Sequence, residues 1–236
     1  MKNIILKERL RKIAEIIPLN TKVADIGADH AYLPIFLVKN NISPYVIAVE
    51  AKWGPYKRAL NNVQKYECEE KIEVRLGRGL EPILPGEIDL AVIAGMGGET
   101  IKEILMESKV KLEIIQSFIL QPMKNLCKLR KYLLENYFEF KDEVVVKEEE
   151  KFYEIWKVEK KGKSKSFDDI DIIVGPILKN KREEIIKEYL KFRIDKLEEN
   201  YRLSIKGQNK LKQEETLKKL KILMEVYADA FLCNNN

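Results

Sequence analysis

Residues 22–34 read KVADIGADHAYLP, and the reading of this stretch decides the fold. Val23-Ala24-Asp25-Ile26 is a short apolar run carrying one acid and closed by Gly27, the pattern of a buried parallel strand that ends in a tight turn. Asp29-His30-Ala31-Tyr32-Leu33-Pro34 then leads into an apolar segment over residues 35–38, which reads as a helix start. A strand, a glycine at its carboxyl end and a helix beyond form the first βα turn of a nucleotide-binding half-sheet. There a residue without Cβ lets a ligand approach the backbone.

The spacing restricts the ligand. After Gly27 the next glycine is Gly54, so the dinucleotide fingerprint G-x-G-x-x-G is absent and a nicotinamide oxidoreductase is disfavoured. One glycine flanked by acids suits a cofactor that is cationic and free of phosphate, such as S-adenosylmethionine. A plain strand–turn–helix fits the same spacing.

Outward from this stretch, residues 4–17 carry apolar side chains at a spacing near 3.6, which predicts an amphipathic helix stopped by Pro18. Residues 45–50 predict a second buried strand ending in Glu50, and Gly54-Pro55 opens a helix to residue 66. Residues 72–76 predict a third strand ending at Gly77-Arg78-Gly79. Residues 88–93 predict a fourth that runs into Ala94-Gly95-Met96-Gly97-Gly98. A fifth, at 118–120, ends in Gln121-Pro122. Two strand-like runs, 140–146 and 152–158, flank a charged turn and predict an antiparallel hairpin. Five βα units and a terminal hairpin match the α/β, Rossmann-like class I methyltransferase sheet, mostly parallel with one antiparallel hairpin.

Residues 161–174 are expected to be a connection. Beyond them, stripes at Ile186, Leu190, Ile194, Leu197 and Tyr201, and at Leu217, Leu220, Met224, Tyr227 and Phe231, predict a C-terminal α-helical hairpin. Lys206-Gly207-Gln208-Asn209 is its turn. The expected division is a catalytic domain over 1–160 and a helical domain over 161–236.

Composition bounds the function. The 236 residues are 45% hydrophobic, enough for a core, and no apolar run approaches the roughly 20 residues that span a membrane. Residues 1–11 alternate charge with Ile and Leu and do not read as a signal peptide. Cys68, Cys127 and Cys233 are scattered and His30 is the single histidine, which argues against a metal site or disulfide framework and for a reducing, cytoplasmic setting. A monomer is expected. Of the net charge of +5, the whole surplus falls in residues 160–236, with 18 basic and 13 acidic side chains. That placement suits a phosphate-bearing partner or a solvated helical face.

In a doubly wound sheet the four strand ends at Gly27 to Tyr32, Glu50, Gly77 to Leu80 and Ala94 to Gly98 line one crevice. Glu50 can accept both ribose hydroxyls of an adenosyl group. Asp29 can balance a sulfonium or hold an ammonium. The glycines keep the floor bare.

With DIGADHAYLP, the Glu50 strand followed by Gly54-Pro55, Gly77-Arg78-Gly79-Leu80, AGMGG at 94–98 and Leu120-Gln121-Pro122, the chain resembles the bacterial TrmK family. These are S-adenosylmethionine-dependent tRNA (adenine-N1)-methyltransferases acting on adenine 22. The resemblance implies tRNA as partner. It implies cofactor binding by Asp25, Gly27, Asp29, His30, Glu50, Gly77, Arg78, Gly79, Leu80, Ala94, Gly95 and Met96. Asp29, His30, Tyr32 and Met96 are the implied catalytic residues. Asp29 would stabilise the cationic product and His30 would position rather than shuttle a proton, because adenine N1 already offers a lone pair. Tyr32, Met96 and the Gln121-Pro122 corner are candidates to hold a base that must be unpaired or flipped. Arg78 departs from the family, which carries Asp or Asn there to meet the cofactor's adenine amino group. Arginine has only donors, so the side chain is expected to swing out. Two competing readings remain: an RNA- or partner-binding module without catalysis, and a methyltransferase with another substrate.

Overall fold

The apolar run after Lys22 forms β1 (Val23–Ile26), buried throughout and in parallel register with β2 (Val46–Glu50) on one side and β4 (Leu90–Met96) on the other. β3 (Ile72–Leu76) pairs outside β2, and β5 (Ser117–Pro122) outside β4. A hairpin of β6 (Phe138–Glu148) and β7 (Lys151–Lys160) closes the far edge, with β7 antiparallel to β5. The sheet has seven strands in the order β3-β2-β1-β4-β5-β7-β6. β1 and β2 are covered on both faces, which is why their sequences run apolar instead of alternating. These features come from a computed structural model that describes residues 4–115, 117–161, 166–206 and 210–232.

Helices α1 (Glu8–Ile16), α2 (Tyr32–Lys39), α3 (Trp53–Lys65), α4 (Gly98–Glu107), α5 (Lys109–Leu112) and α6 (Leu126–Glu135) complete the sheet-bearing unit. The chain turns from β1 to β2 on one side and later to β4 on the other. The strand order therefore reverses at β1, and the carboxyl ends of β1 and β4 border the switch point where open α/β sheets bind ligands.

Several element boundaries differ from expectation; α3, for one, starts at Trp53, ahead of the expected Gly54-Pro55 start. The first helix begins at Glu8, not residue 4, because Lys7 is extended (φ −62°, ψ 155°); before it Leu6 is buried but Ile5 is 95% exposed. The fourth strand starts at Leu90 and continues through Met96, so Ala94-Gly95-Met96 is strand and not loop. An irregularity in its pairing with β5 falls between Ala94 and Met96, where Gly95 takes φ +75°.

The second compact unit joins Glu143–Val145 to the described residues from 166 onward. It contains α7 (Asp169–Ile173), a 3₁₀ turn (Leu178–Asn180), α8 (Glu184–Lys206) and α9 (Lys210–Phe231). α7 interrupts what reads as a connection: Asp168 and Asp171 form a reciprocal capping box, strong enough to start a helix of five residues. Glu143, fully buried, accepts from the Ile177 and Leu178 amides at 2.8 and 2.9 Å. α8 buries Ile186 and Leu190 of the expected stripe. α9 does not follow its expected stripe. Thr216, Leu220, Leu223, Val226 and Ala230 are buried, whereas Met224 is 49% exposed. From Leu217 onward α9 carries a broad apolar arc opposite Lys218, Lys221, Glu225 and Asp229, so periodicity alone leaves the centre of its buried face ambiguous. The expected turn over 206–209 lies outside the described residues except for the backbone of Lys206.

Candidate active site

The turn after β1 is built on backbone that only some residues tolerate. Gly27 takes φ +80°, and a Cβ there would overlap the Met96 side chain. The Gly27 and Ala28 amides both point to the Val49 carbonyl of β2, at 2.9 and 3.3 Å. Asp29 (φ 48°) and Ala31 (φ 55°) are also left-handed, and the loop then enters α2 at Tyr32. Non-glycine residues in this region carry strain that the surroundings must hold in place. The holding contacts are visible. The Asp29 amide donates to Glu50 Oε1, Arg58 of α3 reaches Asp29 Oδ1 at 2.8 Å, and Asn62 Nδ2 donates to the His30 carbonyl at 2.9 Å.

These residues face a cavity of about 270 Å³ at the strand tips, lined by Asp25, Gly27, Asp29, His30, Tyr32, Ala94 and Gly95 among others. Seven of the residues singled out from the sequence thus meet in one place. Tyr32 is 42% exposed and stacks on His30 with ring centroids 5.3 Å apart and planes 11° apart. His30 Nε2 lies 3.6 Å from Asp29 Oδ2. Met96 stands beside the cavity over Gly27, and Glu50 beside it through the Asp29 amide. At the other side of the turn Gly98 permits a close approach, since a Cβ would lie 2.8 Å from the carbonyl oxygens of Lys124 and Asn125.

Asp25 is buried at the floor of the crevice, whereas Asp29 and Tyr32 at its mouth are about half exposed. Burial pushes the Asp25 carboxyl up to about 7, with the Glu50 carboxylate adding to the shift and Arg9 opposing it. Glu50 is raised too, mainly by burial, with the Asp29 amide working against it. Arg9, in the same cavity, offsets part of the cost of keeping two carboxyl groups there.

Gly77, Arg78, Gly79 and Leu80 do not line this cavity. The Gly77 amide donates to the Glu50 carbonyl at 2.8 Å, which puts the start of that loop next to the crevice. Arg78, Gly79 and Leu80 border a separate space of about 440 Å³ against α4 and α5. Arg78 is 65% exposed in its side chain and lies 3.8 and 3.6 Å from Glu103 and Glu107 of α4. Its outward swing has a physical cause in those two carboxylates.

Sequence reasoning missed Arg9. It extends from α1 into the cavity, donates to Gln121 Oε1 and lies 5.6 Å from the centroid of the Tyr153 ring. Gln121 Oε1 also accepts from the Gly95 amide at 3.0 Å. Gln121 is fully buried, braces β4 and Arg9, and does not line the cavity at which its corner was a candidate to hold a target base. Among the described residues no group of three His, Cys, Asp or Glu side chains is placed to hold a metal ion.

A mostly parallel seven-stranded sheet with a terminal antiparallel hairpin, and an acidic, glycine-floored crevice at its strand tips, defines a Rossmann-like methyltransferase. The family model for TrmK, tRNA (adenine(22)-N(1))-methyltransferase, matches residues 23–226, and the chain belongs to that family. It is 36% identical over 234 residues to the tRNA (adenine(22)-N(1))-methyltransferase of Bacillus subtilis strain 168, covering 96% of this chain and 98% of the relative. Among solved structures it resembles Streptococcus pneumoniae Sp1610, a putative tRNA (m1A22) methyltransferase, in complex with S-adenosyl-L-methionine. That match has a TM-score of 0.83 at 32% identity over 93% of this chain and 98% of the other. M. capricolum TrmK in complex with S-adenosyl-homocysteine matches with a TM-score of 0.81 at 28% identity, over 95% and 99%.

Proposed function

We propose that this protein transfers a methyl group from S-adenosylmethionine to N1 of adenine 22 in tRNA. The observation that carries the reading is the acidic crevice: Asp25, Asp29 and Glu50 converge on a glycine-floored space at the switch point of the sheet. Those residues fit this cofactor. The buried carboxyl groups complement a cation, the bare backbone at Gly27 admits a ligand, and the ends of β1 and β2 offer acceptors instead of a phosphate cradle. When bound, the cofactor supplies an electrophilic methyl group on a cationic sulfur.

Glu50 would accept the ribose hydroxyls, and Asp25 and Asp29 would hold the amino-acid and sulfonium end. Adenine N1 would attack with its own lone pair, the sulfur–methyl bond breaking as the N–C bond forms and the neutral sulfide leaving, so the protein need not remove a proton in this step. Positive charge would pass to the purine as that bond forms, and Asp29 would stabilise it there. The His30–Tyr32 stack and Met96 hold the flipped base in line, where positioning accounts for most of the rate gain. Arg78 stays outside the crevice on Glu103 and Glu107, which supports a working cofactor site in spite of the residue's unusual identity.

In this reading residues 1–160 are catalytic and 161–236, with their basic surplus, grip tRNA phosphates. The protein works as a cytoplasmic monomer without a metal. Among the described residues no helix is long and apolar enough to cross a membrane. Incubation of unmodified tRNA with labelled cofactor, followed by primer extension, tests the function. A stop at adenine 22 is expected; no incorporation, or a stop elsewhere, rejects it.

A further inference from the structure

The start of α3 carries an unusual exposed feature. Trp53 is 57% exposed, stacks on Tyr56 with centroids 5.2 Å apart and planes 17° apart, and has the Lys57 ammonium 5.2 Å from its ring centroid. No core contact explains so large an indole in water. Because α3 follows β2, Trp53 stands only three residues beyond Glu50, on the strand-tip edge where the crevice opens. The same helix is fastened to the crevice loop by Arg58 on Asp29 and Asn62 on the His30 carbonyl. Lys52, Lys57 and Arg58 make this lip basic, in contrast to the acidic interior.

A fixed aromatic face ringed by cations is the chemistry that holds an unpaired nucleotide, with the base on the ring and the phosphate on the lysines. We infer that Trp53, backed by Tyr56, is a stacking ledge for a nucleotide flanking the reactive adenine, and that Lys57 swings from the indole to that nucleotide's phosphate. The inference rests on the tRNA reading above. It adds a positioning residue that keeps the flanking strand splayed while the target base occupies the cavity.

The two tryptophans make the test direct, because Trp156 is fully buried and Trp53 alone is open to a base. Unmodified tRNA should quench the fluorescence of the wild-type protein and leave that of Trp53→Phe unchanged. Trp53→Ala should raise KM for tRNA about tenfold, with kcat at saturating tRNA and affinity for S-adenosylhomocysteine unchanged. Trp53→Phe should recover most of that loss, since a phenyl ring also offers a face. An unaltered KM in Trp53→Ala, with the wild type active, overturns the ledge but leaves the tRNA reading intact, and is the result expected if this face serves a protein partner. A parallel loss of homocysteine-product binding also overturns it, by showing a merely structural role. A wild type that methylates no tRNA removes the underlying reading first and the ledge with it.

Discussion

Arg58 Nη2 lies 2.8 Å from Asp29 Oδ1, so a cation from α3 already occupies the carboxylate that the crevice would turn toward a sulfonium. Both side chains are about half exposed (48% and 58%), and a pair so open to water contributes little to stability. Arg58→Ala should therefore shift the unfolding free energy by less than about 1 kcal/mol. Removing this competitor should leave affinity for S-adenosylmethionine equal or tighter. Asp29→Ala should weaken binding of the cationic cofactor more than that of its uncharged sulfide product, and calorimetry with both ligands measures the difference.

Gly27→Ala places a methyl group at φ +80° and against Met96. The backbone penalty alone is about 1–2 kcal/mol. Thermal unfolding should show a lowered midpoint, and cofactor binding should fall at the same time. Gly27→Ala combined with Met96→Ala should recover only part of the loss, because relieving the overlap does not relieve the dihedral.

Asp25 makes two opposite pH predictions. Its carboxyl titrates near 3.8 when exposed and near 7 in the fold, so the unfolded chain gives up this proton first as pH rises. The ligand-free protein consequently loses stability from this group between about pH 4 and 7, and Asp25→Asn should raise the melting temperature at pH 8. A cationic ligand favours the ionised form. Affinity for S-adenosylmethionine should therefore climb between pH 6 and 8 in the wild type and stay flat in Asp25→Asn.

Arg78 is held away from the crevice by Glu103 and Glu107 at 3.8 and 3.6 Å. Arg78→Ala should leave the dissociation constant for S-adenosylhomocysteine within about twofold of wild type. A large change in either direction would place the guanidinium in the cofactor site.

The local parts of this site were legible in the chain because each is written in adjacent residues. A glycine after an apolar run marks the turn at Gly27, and an acid closing a buried strand marks Glu50. Arg9 carries no such mark. It is one cation among several on an ordinary amphipathic helix, and only the packing of α1 against α2 and β7 brings it to Gln121 and Asp25. The Gln121 corner is hard to read for the same reason: the residues fit a pocket wall, but in the fold the Gly95 amide donates to the Gln121 side-chain oxygen. α9 failed differently, since a helix whose apolar arc is wider than its buried stripe has a period but no unique phase.

The account stands or falls on whether the strand tips hold the methyl donor, and calorimetric titration of S-adenosylhomocysteine into the wild type and Glu50→Gln tests this directly. Glutamine keeps an acceptor for the Asp29 amide but loses the charge. The expected result is saturable heat in the wild type and binding at least about tenfold weaker in Glu50→Gln, the loss of one charge-assisted hydrogen bond. Absence of heat in the wild type, or equal affinity in the two proteins, would contradict it.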